Sequence, residues 1–92
     1  MKRPLEPLFT EEFACQLAEV DEHAPKTGTH ARKLISQLQA FPDMGNPHPR
    51  KMLRDRYGDN IRTVPVDHYL LVYAHDDKEL KIVSLVWAAM IR

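Results

Sequence analysis

Ninety-two residues, 43% of them apolar and 28% charged, suffice for one small folded domain spanning 1–92 and exclude a disordered chain. There is no run long enough to span a membrane and no apolar stretch behind Lys2 and Arg3 to make a signal peptide, and the lone Cys15 excludes an internal disulfide, so a reducing cytoplasm is the expected location. The net charge is zero, which argues against a protein that lives on nucleic acid, yet the charge is uneven: residues 1–24 sum to −4, residues 25–63 to +5 and residues 64–92 to −1.

Residues 5–9 (LEPLF) read as a short strand, which Pro4 and Pro7 confine to an edge or a strand end. Thr10 is a good N-cap, and Glu11 and Glu12 complement a helix dipole. Phe13, Leu17, Val20 and Ala24 follow at helical spacing and predict a helix over 11–24. Pro25 and the turn-prone Lys26-Thr27-Gly28 end it. A second helix is expected from about Thr29, with Ala31, Leu34, Ile35, Leu38 and Phe41 on its apolar stripe and Pro42 as its stop. So short a connection predicts an antiparallel helical hairpin.

Residues 42–60 carry Pro42, Gly45, Pro47, Pro49 and Gly58 and read mostly as loop, with one turn of helix around Lys51–Arg56. Three strands follow: Ile61–Val66, Tyr69–His75 and Leu80–Ala88, joined at Asp67-His68 and Asp76-Asp77-Lys78. Both faces of the middle strand are apolar, which predicts burial on both sides. The order β-α-α-β-β-β predicts a two-layer α+β domain, a helical hairpin on a small, mainly antiparallel sheet. The other sheet face is then partly open or covered by a second chain.

The helix start T-E-E-F, the hairpin end L-Q-A-F-P-D-M-G, and the runs Asn60–Val66, Tyr69–Tyr73 and Leu80–Val86 together resemble the RelE/ParE superfamily of toxins from bacterial toxin–antitoxin pairs. The resemblance implies one of two activities on one fold. RelE-like members cut messenger RNA in the ribosome; ParE-like members poison DNA gyrase. An RNase of this kind needs a base, cations for the phosphate and an acid for the leaving oxygen. Arg62 matches one family position, while Lys81 and Ser84 are poor matches for the arginine of the last strand. The end of the chain, Val86 to Arg92, supplies no acid or base. The chain therefore resembles the ParE branch, acting by protein binding rather than chemistry, with DNA gyrase as target and a cognate antitoxin as partner. The alternatives are a ribosome-dependent RNase using Arg62, His75 and Lys81 on messenger RNA, and a non-toxic binding module of the same fold.

Each candidate also has a plainer reading. Arg62 is either a phosphate or partner contact or a surface arginine paired with a carboxylate. Arg50, Lys51, Arg54 and Arg56 either engage an acidic partner or form a solvated loop paired with Asp55 and Asp59. Trp87 and Arg92 complete the partner-binding set, with Trp87 as an interface anchor or a core residue. The five histidines have no metal-ligand spacing, and no metal or cofactor is expected. Tyr69 and Tyr73 share a face and read as core residues with satisfied hydroxyls. Cys15 falls on the polar side of its helix.

Overall fold

A computed structural model describes residues 3–91, so Arg92 lies outside the described residues. The chain runs β1 (Glu6–Phe9), α1 (Glu11–His23), α2 (Pro25–Ala40), α3 (Lys51–Tyr57), β2 (Arg62–Val66), β3 (Tyr69–His75) and β4 (Glu79–Trp87), with short 3₁₀ turns at Pro42–Met44 and Ala88–Met90. The sheet order is β1-β4-β3-β2. β2, β3 and β4 are antiparallel neighbours, and β1 joins β4 in parallel. The α+β hairpin-on-sheet architecture is the expected one, and Pro7 does lie in an edge strand.

Thr10 caps α1: its Oγ1 accepts from the Phe13 N–H at 3.1 Å and donates to the Val83 carbonyl at 2.6 Å. The second helix begins four residues earlier than expected. Pro25 occupies its first turn, where the missing N–H costs nothing. Only Ala24 separates α1 from α2. Gly28, expected in a turn, lies inside α2 and is buried. A Cβ there would collide with the Asp21 carboxylate, so the glycine serves helix contact rather than chain reversal. Asp21 in turn receives both arms of Arg32, at 2.9 and 2.7 Å. Phe41 is also corrected: it caps α2 and stands 69% exposed instead of completing the apolar stripe.

The main core lies between the hairpin and one face of the sheet. Phe13, Val20, Ile35 and Leu38 pack against Leu71, Tyr73, Leu80 and Ile82. The other face is not open. Leu53 and Tyr57 of α3, with Ile61 and Ile91, cover Val72, Leu70, Val83 and Val86 in a second, smaller core. The double-sided burial predicted for β3 thus comes from the chain itself. Ile61 precedes β2 and belongs to this second core.

One irregularity shapes everything nearby. Val72 pairs with Ser84 and Tyr73 with Ile82, leaving Val83 as an extra residue. Beyond this bulge the facing of β4 inverts. Leu80, Ile82 and Leu85 all reach the main core, so Trp87 shares the face of Leu85 but not that of Lys81. No single alternation runs through residues 81–87.

Candidate partner-binding site

The expected nuclease set does not converge. Arg62 lies opposite Tyr73, and His75 opposite Leu80, so both point to the hairpin side of the sheet. Lys81 sits between core residues Leu80 and Ile82 and points to the opposite side. Arg62 Nη1 donates to the carbonyls of Asp43 (3.1 Å) and Gly45 (3.0 Å), and Nη2 lies 3.5 Å from the Asp43 carboxylate. His75 Nε2 meets the same carboxylate at 3.0 Å. Beneath them Tyr73 Oη donates to the Pro42 carbonyl at 2.6 Å and accepts from the Gly45 N–H at 2.9 Å. Burial first, then the nearby Asp43 charge, pushes the Tyr73 hydroxyl above its ordinary value; the Gly45 N–H and Arg62 oppose the rise. The group is a clamp on the loop that follows α2. Tyr73 is a core residue with its hydroxyl satisfied, and Tyr69 packs half-buried against the same core.

The basic residues of the middle segment divide in the same way. Arg50 Nη1 donates to the Ile91 carbonyl at 3.3 Å and ties the two covers of the outer sheet face together. Lys51 pairs loosely with Asp55 at 3.7 Å, in full solvent. Arg56 reaches Glu12 at 3.4 Å and lies over the Tyr57 ring. Arg54 has no ion-pair partner among the described residues. Among the described residues, no group of His, Cys, Asp and Glu could hold a metal. Cys15 is exposed on α1.

Trp87 lines an open groove with several exposed apolar side chains. Between α1 and α3 runs a groove of about 500 Å³, whose floor includes Leu85, Val86 and Trp87 and whose far end is Met90 and Ile91. Met52, Trp87 and Met90 are large apolar side chains left 47%, 43% and 72% exposed. Trp87 is held edge-on against Tyr69, with ring centroids 5.1 Å apart. It is neither core nor solvated; it is a half-buried aromatic on a groove floor.

A polar chain closes the inner wall. Gln16 Oε1 accepts the Leu85 N–H at 2.6 Å, and Gln16 Nε2 donates to Ser84 Oγ at 3.0 Å. Ser84 Oγ lies 3.1 Å from Tyr57 Oη, which donates to Glu12 at 2.7 Å. The hydroxyls of Ser84 and Tyr57, with Arg56 beyond, favour the ionised Glu12 and hold its carboxyl below the ordinary value. Burial above all, and the Glu12 charge, raise the Tyr57 hydroxyl. Sequence reasoning missed Glu12, Gln16, Tyr57, Met52 and Met90. The available signal was a polar pair at i, i+4 on α1, beside an apolar stripe that needed no polar neighbour.

Comparison with curated proteins gave no match. Among solved structures, the fold superposes on a chain from the chromosomal ParDE TA system of P. aeruginosa with a TM-score of 0.68, 17% identity, and coverage of 90% of this chain and 95% of that one. That likeness is one of fold. The model of the ParE toxin of the type II toxin–antitoxin system parDE matches residues 8–90, a span that takes in the hairpin, α3, the bulged β4 and the groove between them. With the match running through nearly every element described above, the chain belongs to the ParE toxin family of type II toxin–antitoxin systems.

Proposed function

We propose that this protein is the growth-inhibiting component of a toxin–antitoxin pair, that it acts by binding DNA gyrase, and that a cognate antitoxin neutralises it by covering exposed apolar surface. The observation that carries this reading is the groove between α1 and α3, where Met52, Trp87 and Met90 remain exposed around a rigid aromatic anchor. Such a surface suits protein recognition. The clamp role of Arg62, and the placing of Lys81 on the opposite sheet face, weigh against RNA cleavage by those residues. The solved structure of similar fold is described as part of a toxin–antitoxin system, which supports the expectation of an antitoxin.

The test runs two assays on the purified protein. Gyrase supercoiling is expected to stop on addition of the protein, while in vitro translation continues. Arrested translation with untouched supercoiling would overturn the reading in favour of the ribosome-dependent RNase. Normal growth of a bacterial host expressing the chain alone would favour the non-toxic binding module.

A further inference from the structure

Residues 44–54 hold Arg50, Lys51 and Arg54 and no carboxylate. All three cations are exposed. The segment that delivers them is braced. Asn46 exchanges backbone bonds with Thr63 at 2.8 and 3.2 Å, and its Oδ1 accepts the His48 N–H at 2.9 Å. Pro49 is buried, and Leu53 sits in the core on the outer sheet face. Helical geometry then divides α3 into two sides. Met52 and Arg56, four residues apart, line the groove beside α1. Lys51, Arg54 and Asp55 project on the side away from it. The Arg54 N–H donates to the Arg50 carbonyl at 3.2 Å, so Arg50 continues that side by one turn.

The charge on this side is poorly balanced. Arg54 has no ion-pair partner among the described residues. Arg50 gives one nitrogen to the neutral Ile91 carbonyl. Lys51 meets Asp55 at 3.7 Å with both side chains well exposed, so water screens the pair. Three cations against one carboxylate leave the side positive. α3, about 10 Å across, stands between it and Glu19 on the groove wall, and charges are screened beyond about 8 Å at physiological salt. A chain that is neutral as a whole is therefore locally cationic here.

We propose that the side of α3 carrying Arg50, Lys51 and Arg54 rests on the phosphate backbone of duplex DNA. This rests on the reading above, since a protein that stops gyrase meets that enzyme with its DNA bound. An acidic protein is the rival occupant, and the face suits it less well. Protein interfaces are anchored by apolar and aromatic side chains and are depleted in lysine. The exposed apolar residue of α3, Met52, lies on the groove side instead. Phosphates need only exposed cations at short intervals. Lys51 and Arg54, three apart on the helix, stand about 5–6 Å from each other at Cβ and reach neighbouring phosphates of one strand. Two or three such contacts hold DNA weakly, which fits a neutral chain that is brought to DNA by another protein.

Fluorescence anisotropy at low salt tests this with three labelled probes: a short DNA duplex, a single-stranded RNA of the same length, and an oligoglutamate of the same charge. The duplex is expected to bind tightest, with a slope of log affinity against log salt of about −2 to −3, near −0.9 for each phosphate. The double variant Lys51→Gln with Arg54→Gln is expected to bind about tenfold more weakly, with the slope shallower by about 2 and Tm unchanged. Exchanging the two cations, Lys51→Arg with Arg54→Lys, is expected to keep the slope. Asp55→Asn, which removes the one carboxylate, is expected to tighten binding several-fold. Oligoglutamate or RNA binding as tightly as the duplex, a double variant with the parent slope, or no duplex binding at low salt would each overturn the proposal. Gyrase inhibition is read separately. Duplex binding without gyrase inhibition leaves this inference standing and removes the functional one; gyrase inhibition without duplex binding does the reverse.

Discussion

Tyr73 joins strand, loop and core through one hydroxyl. Its oxygen donates to Pro42 and accepts from Gly45 while the ring is fully buried. Tyr73→Phe strands a half-buried carbonyl and a buried N–H, and urea denaturation should show a loss of about 1–3 kcal/mol. Gly45→Ala places a methyl group on the same hydroxyl and should destabilise at least as much. Arg62 belongs to the same clamp. Arg62→Ala removes two charge-assisted bonds to carbonyls and should cost about 1–2 kcal/mol, discounted for partial exposure. At a temperature where the variant stays folded, its effect on gyrase should match that of the parent chain. Loss of function with unchanged stability would make Arg62 a contact residue instead. The plainer reading of Arg62, a surface arginine facing a carboxylate, was visible in the sequence. Its actual ligands were not, because two of them are backbone carbonyls and any residue type supplies those.

The capping residue of α1 works at both ends of the sequence. Thr10 satisfies the Phe13 N–H and, 73 residues away, the carbonyl of the bulged Val83. Thr10→Ala should therefore cost about 1–2 kcal/mol, the upper part of the range for a cap, and Thr10→Ser should recover most of it. Thermal denaturation of the two variants is the check. As a cap Thr10 was legible, since a β-hydroxyl before two glutamates and an apolar stripe has few other uses. Its second role was not, because a bulge leaves no mark in a run of apolar residues. The start of α2 misled for a related reason. Pro25 and Gly28 are helix breakers by propensity, but the first turn tolerates proline and a crowded crossing wants glycine. Contact with α1 outweighed about 1 kcal/mol of unfavourable propensity. The short α3 was legible as a helical turn, yet its task of covering the outer sheet face depends on where the loop delivers it.

At the scale of the whole fold, four carboxyls among the described residues sit below their ordinary values. Ser84 and Tyr57 hold Glu12 down, Arg32 holds Asp21, Thr27 and then His30 hold Asp67, and the amides of Lys78 and Glu79 hold Asp76. In each case the folded chain favours the ionised form, so the unfolded chain binds more protons in acid. That stability is fully present above the ordinary values of 4.5 for Glu12 and 3.8 for the aspartates, and is lost as pH falls below them. Tm is expected to be level near neutrality and to fall progressively under about pH 4.5. Glu12→Gln should flatten the first part of that decline; an unchanged slope would count against the Glu12–Tyr57–Ser84 chain. Asp21, Asp67 and Asp76 are exposed, so added salt should shrink their share.

Sequence alone determined the element types, their order, the helical hairpin and the antiparallel β2–β3–β4 run. Those follow from local periodicity, capping and turn chemistry, which act over a few residues. It also located the basic middle and picked out Trp87 as a side chain worth placing. Tertiary structure alone decided which candidates meet. Arg62 and His75 share Asp43, whereas Lys81 lies on the far face, because facing is set by strand pairing rather than by residue type. It alone set the groove as well. The extra residue at Val83 turned Trp87 toward the hairpin side, and the shortness of β1 left the β4 residues after Ile82 without a strand beside them on that edge among the described residues. The first is a matter of register between β3 and β4, the second of pairing between segments more than 70 residues apart, such as Phe9 and Ile82, and no local pattern records either.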